Sequence, residues 1–257
     1  MLTTILLTSL LSASSGGDPT CNAGDARLNQ PGDPLKSLTY DFIPLVPDAS
    51  LVYYQVYSAR NGFDGSPTVG NNVNVSLIHL GGNRVLMFGS GYGDHPVALF
   101  GAATDAGLVD EVIQGCIGLE PGSTRIHFVA PHGHPDHVNA EIFRELRLLG
   151  YRIAEIAFHE GDLGLVNALP GWTAQDMNAW NVLSGPDCGV VRSFQSTVGR
   201  VRFQRRSGHT DGSLDMVIDV QNDPDRRVLV RGSAPNMTCA VPPGVKVILL
   251  AHGNAIL

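Results

Sequence analysis

The sequence predicts an α/β fold arranged as a two-sheet αββα sandwich. Three observations predict it. Strand-like runs dominate both halves of the 257-residue chain, helical patterns fall within each half, and a strand–loop–helix–strand unit occupies the middle.

Taken in order, residues 1–15 read as an export signal. Residues 2–11 form an apolar run too short to span a bilayer, and Ser12, Ala13, Ser14 and Ser15 supply the small residues of a cleavage site, although no Lys or Arg precedes the run. Residues 16–36 are rich in Gly, Pro, Asp and Asn and read as a flexible lead-in to one domain over residues 37–257. Residues 51–57 are aromatic and β-branched, hence a strand. Residues 73–80 and 84–88, joined by Gly81-Gly82-Asn83, read as a β-hairpin. The glycine-rich turn over residues 89–94 lacks the Lys and Ser/Thr of a phosphate loop. Val109, Val112, Ile113 and Ile117 fit a helix within residues 95–118.

The central unit comes next. An apolar run over residues 126–130 reads as a buried strand and stops at Pro131. His132, His134, Asp136 and His137 follow within six residues, and then Val138, Ile142, Leu146 and Leu149 recur at helical spacing up to Gly150. The four polar side chains thus occupy a tight loop between a strand's C-terminal end and a helix start, the edge where α/β sheets bind ligands. Imidazole and carboxylate ligands suit zinc, and groups this close repel one another when protonated unless a partner holds them. A strand over residues 151–158 completes a unit with a parallel strand pair.

Residues 161–189 are mixed, with Trp172 and Trp180 fitting core packing. Strands are expected over 190–194, 200–204, 214–220, 227–230 and 245–250. His209 lies in the glycine-flanked turn Ser207-Gly208-His209-Thr210-Asp211-Gly212-Ser213 before one of them, and His252 follows the last. Both sit at strand edges, as the first motif does. His79, His95, His127 and His159 lack that context and read as solvated or backbone-bonded.

The formal charge of −7 and the absence of a basic run argue against non-specific nucleic-acid binding. Cys21, Cys116, Cys188 and Cys239 show no CxxC spacing; in an exported chain they allow two disulfides in three pairings. No Ser/His/Asp or Cys/His signature offers a nucleophile.

In the order His132-Gly133-His134-Pro135-Asp136-His137, then Gly208-His209-Thr210-Asp211-Gly212-Ser213, then Ala251-His252-Gly253, the chain resembles the metallo-β-lactamase fold superfamily, from about Val52 to Gly253. The resemblance implies a four-layer αββα sandwich with metals at one edge of the sheets. It implies one zinc held by His132, His134 and His209, and a second by Asp136, His137 and His252, hence one or two Zn2+ per chain. It also implies a hydrolase attacking a carbonyl-type bond (β-lactam, lactone, ester or thioester) with a metal-bound hydroxide that Asp136 orients. The expected partner is a small-molecule substrate, with no nucleic acid and no stable membrane insertion, and the expected location is secreted or periplasmic.

Two positions depart from the family pattern. Gly89 stands where an Asp usually supports the metal loop, and Ser233 where an Asp usually bridges the metals. Lactonases and glyoxalase II-like thioesterases normally keep that bridge, whereas some metallo-β-lactamases pair a three-His site with an Asp-His-His site. The same departures leave a second reading, a metal- or ligand-binding protein of this fold with weak or lost catalysis. His134 argues against flavodiiron-type relatives, which carry Glu at that place.

Overall fold

A computed structural model of the chain describes residues 38–46, 49–58, 71–91, 101–223, 225–232 and 239–250. The expected export signal and lead-in, together with His95, Ser233 and His252, lie outside them.

The first sheet runs in chain order: β1 (Leu38–Val46), β2 (Ala49–Ser58), β3 (Asn71–His79), β4 (Arg84–Phe88), β5 (Arg125–Val129), β6 (Arg152–His159) and β7 (Trp180–Leu183). The first four strands are antiparallel, with β3 and β4 forming the expected hairpin, and β4 to β7 are parallel. Parallel neighbours need crossovers, which helices supply. α1 (Ala102–Val112) joins β4 to β5, α2 (Ala140–Leu148) joins β5 to β6, and α3 (Leu163–Ala168) with α4 (Ala174–Asn178) joins β6 to β7.

The second sheet has the order β12 (Val245–Leu250), β11 (Arg227–Arg231), β10 (Leu214–Val220), β9 (Gly199–Arg205), β8 (Val190–Gln195). Its strands are antiparallel except for the parallel β11–β12 pair.

The period of two along each strand sorts the core into two layers. Val85, Met87, Ile126 and Phe128 face the helices and pack with Val109, Phe143 and Leu146. Leu86, Phe88 and Val129 face the second sheet and meet Val201, Phe203, Met216 and Ile218. Strands buried on both faces read as continuous apolar runs, which is why residues 126–130 looked like one. Phe128 is fully buried and meets Phe143 edge-on at 4.9 Å; truncating such a side chain costs roughly 3–5 kcal/mol. Trp172 stacks on Phe143 and meets Trp180 edge-on, so both tryptophans back the helix-side core.

The α/β class and the two facing sheets are as the sequence predicts. Among the described residues no helix covers the outer face of the second sheet. Residues 239–243 run over it beside Arg202, Gln204 and Arg227. A disulfide between Cys188 and Cys239, 51 residues apart, pins that segment. By chain entropy, closing a loop of that length stabilises by about 4 kcal/mol. Cys116 is also disulfide-bonded, and no described cysteine is free. Asn74 is buried inside β3. Among the described residues no helix is long and apolar enough to cross a membrane.

Candidate metal centre

The loop that carries His132, His134, Asp136 and His137 is anchored at both ends. After β5, the Ala130 N–H bonds to the Ala157 carbonyl at 2.8 Å, keeping the chain on the sheet. Pro131 then passes its carbonyl to the Leu214 N–H at 2.7 Å, tying the loop to the first residue of β10 in the other sheet. The His134 carbonyl accepts from the His137 and Val138 N–H groups, both at 3.0 Å, and so closes the turn. Asn139 caps α2 by accepting from the Glu141 N–H at 3.0 Å. Gly150 takes φ +101° just beyond the helix, the left-handed stop that the pattern predicted.

The β9–β10 turn brings His209 to the same place from the second sheet. The ring nitrogens of His132, His134 and His209 all lie within 4.8 Å of one another. His209 Nε2 is 3.2 Å from His134 Nδ1. Two imidazoles at 2.0–2.1 Å from one tetrahedral zinc would have nitrogens about 3.3 Å apart, so the pair fits an ion without rearrangement. His132 Nδ1 lies 2.7 Å from the Gly232 carbonyl. A carbonyl only accepts, so Nδ1 carries the proton and Nε2 offers its lone pair. His132 is also shared with a second group, His132, Asp136 and His137, whose ligand atoms again lie within 4.8 Å of one another. The Asp136 carboxylate is 3.4 Å from His137 Nε2.

Burial divides the cluster. His132, Asp136 and His137 are at most 1% exposed, whereas His134 is half-buried and His209 is exposed. The centre therefore opens to solvent on the His134–His209 side.

Asp162, which follows β6 in a short 3-10 turn, is the residue that the sequence reading missed. It is 1% exposed and fastens both histidine loops. It accepts from the Gly133 N–H at 2.7 Å, between His132 and His134. It also accepts from the Thr210 hydroxyl at 2.9 Å and the Gly212 N–H at 3.0 Å, beside His209. Glycine is required for this approach: a Cβ at Gly133 would come within 2.9 Å of the Asp162 side chain, and one at Gly212 within 2.5 Å. Its only signal in the sequence is a carboxylate directly after a parallel strand, at the same sheet edge as the histidines.

Gly89 takes φ +83° and lies beside the loop; a Cβ there would reach 3.9 Å from His137 Nδ1. The position that the family resemblance gives to a carboxylate is thus next to the metal loop and holds no side chain. His252 and Ser233 lie outside the described residues. The other histidines sit apart from the cluster. His79 donates to the Gly82 carbonyl, and His159 accepts from the Gly161 N–H, as expected for backbone-bonded side chains. Burial, with Arg205 nearby, holds the His159 imidazole below its ordinary range. His127 departs from that expectation, facing Glu155 at 3.8 Å and the Phe194 ring edge-on.

No family model and no curated protein matches the sequence. Several solved structures do resemble it. A HARLDQ-motif metallo-β-lactamase from Cronobacter sakazakii shares 12% identity over 82% of this chain and 77% of its own, with a TM-score of 0.46. The class B3 di-zinc metallo-β-lactamase LRA-12 from an Alaskan soil metagenome shares 17% over 74% and 62%, with a TM-score of 0.43. The metallo-β-lactamase MIM-1 from Novosphingobium pentaromativorans shares 13% over 70% of each chain, with a TM-score of 0.45. Likenesses this low decide neither activity nor substrate, which must come from the ligand geometry of the chain itself. In its two facing sheets and in the placement of its histidine cluster at their shared edge, the chain has the fold type that its resemblance to the metallo-β-lactamase fold superfamily leads one to expect.

Proposed function

We propose that the chain is an exported, zinc-dependent hydrolase that cleaves a carbonyl-type bond (β-lactam, lactone, ester or thioester) in a small molecule. The observation that carries this reading is the convergence of His132, His134 and His209 within 4.8 Å, two from one sheet and one from the other, with the His132 tautomer already set by Gly232. Three neutral imidazoles leave a fourth position open, the ligand set of catalytic rather than structural zinc. Zinc bound there supplies Lewis acidity, polarising a carbonyl and lowering the pKa of water toward neutrality.

The chain's own residues do the rest. Gly232 and Asp162 hold the imidazoles in register, so little reorganisation is needed when a substrate arrives. Asp136, buried beside His132 and His137, accepts the proton of the attacking water as general base. The exposed His209 side admits the substrate. His137 and His252 are the remaining ligands of a second ion, and residues 1–15 direct export.

Elemental analysis of protein purified with zinc, followed by hydrolysis of a panel of cyclic amides, lactones, esters and thioesters with and without chelator, tests the reading. Chelator-sensitive turnover that Asp136→Ala lowers about 100-fold or more is the expected result. Protein that takes up no zinc contradicts it. The bare position at Gly89 favours a second reading, a metal-binding protein of this fold without turnover. That reading predicts one tightly held ion and no chelator-sensitive hydrolysis anywhere on the panel.

A further inference from the structure

Two hydrogen-bond chains lead away from the three-histidine cluster, and both end at the same disulfide. The first starts in the turn that carries His209. Two residues before that histidine, Ser207 donates its backbone N–H to Asp187 Oδ1 at 2.8 Å and its hydroxyl to Asp187 Oδ2 at 2.9 Å. Asp187 is the residue before Cys188, whose own N–H bonds to the Arg205 carbonyl at 3.0 Å. The second chain starts at His132, whose Nδ1 donates to the Gly232 carbonyl at 2.7 Å. The Gly232 N–H donates to Asp215 Oδ1 at 3.1 Å. The other Asp215 oxygen pairs with Arg206 Nε at 2.6 Å, and Arg206 Nη1 donates to the Cys239 carbonyl at 2.7 Å.

Asp215 and Arg206 are 1% and 3% exposed, so this ion pair is desolvated and depends on each of its hydrogen bonds. Gly232 has no slack either: a Cβ there would overlap the Leu214 carbonyl oxygen. The two chains pass through consecutive residues, Arg206 and Ser207. The Cys188–Cys239 bond closes them into one ring of contacts around the β9–β10 turn. Cys188 is exposed.

Resting on the metal-site reading above, we infer that Asp187, Arg206 and Asp215 are positioning residues that brace His209 and His132 against the Cys188–Cys239 disulfide, so that the redox state of this cystine sets the affinity of the three-histidine site for its metal. The controlling step is reduction by an external dithiol. It delivers two electrons and two protons, the S–S bond breaks, two thiols form, and the dithiol closes to its own disulfide. Cys239 is then no longer tied to Cys188, the carbonyl it offers to Arg206 is released from its anchor, and the turn bearing Asp187 loosens. Removing partners behind metal-ligating histidines typically weakens metal binding 10–100-fold.

The test is the zinc dissociation constant, measured by competition with a chromophoric chelator under non-reducing conditions. Wild type, the Cys188→Ser/Cys239→Ser double variant, Asp187→Ala and the helix-side control Gln114→Ala are compared, with far-UV circular dichroism recorded for each. The double variant is expected to bind zinc about 10–100-fold more weakly, Asp187→Ala more weakly in the same direction, and the control as wild type does. If the double variant does not fold, the same measurement on wild type reduced with a non-chelating phosphine carries the test, and unchanged affinity there overturns the inference. Wild-type affinity in Asp187→Ala and in a folded double variant overturns the inference while leaving the metal site standing. A wild-type protein that binds no zinc overturns the metal site itself.

Discussion

The two sides of the histidine cluster are built differently. The three-imidazole side draws His132 and His134 from the first sheet and His209 from the second, and Asp162 locks both loops together through three hydrogen bonds. The carboxylate side, Asp136 and His137, comes from one loop and is buried, and the backbone beside it at Gly89 carries no side chain. Preorganisation costs entropy at folding rather than at binding, so the cross-braced side should hold its metal first and more tightly. The single-loop side should contribute chemistry more than retention.

The largest expected effect breaks that contrast outright. His209→Ala should lower metal affinity by more than about 100-fold, since loss of an outer partner alone costs 10–100-fold, and turnover should fall with it. Asp136→Ala should keep one equivalent of metal yet lose about 100-fold or more in turnover. Metal analysis beside rate measurement separates the two, and equal metal loss in both variants would erase the distinction.

Next comes the brace. Asp162→Ala orphans three donors, each costing about 1–3 kcal/mol when buried, so urea denaturation should show a loss of roughly 3 kcal/mol or more together with weaker zinc binding. Gly212→Ala drives a methyl into Asp162 and should cost about 1–3 kcal/mol in the same assay.

The fold was legible wherever pattern and packing agree. The hairpin of β3 and β4, the central β5–α2–β6 unit and its parallel pairing follow from apolar spacing and a glycine stop, and the structure has them. β7 was not legible, because four residues starting at Trp180 are too short to show a period. Its place is set by pairing with β6. Asp162 escaped for a related reason: nothing local marks a carboxylate whose partners, Gly133 and Gly212, lie 29 and 50 residues away. His132, His134 and His209 stood out because ligand chemistry leaves a dense local signature. The Cys188–Cys239 pairing was one of three possibilities until the second sheet brought the two together.

The smallest effect is a control on the far face of the second sheet. Burial pushes the Asp219 carboxyl up, but bonds from Arg202 and Arg227 hold it below the usual carboxylate range. A depressed folded pKa stabilises above the unfolded value, about 3.9, and that contribution disappears as pH falls through the folded value. Asp219→Asn should therefore cost up to about 1 kcal/mol at neutral pH, lose its effect in acid, and leave metal content unchanged.

The most direct test of the central claim is cobalt substitution of the wild-type protein and of the His132→Ala, His134→Ala and His209→Ala variants, read by visible absorption and elemental analysis. The account predicts at least one equivalent of cobalt with a tetrahedral spectrum in wild type, and its loss in each variant. Wild-type protein without bound cobalt, or variants that keep the same spectrum and stoichiometry, would contradict it.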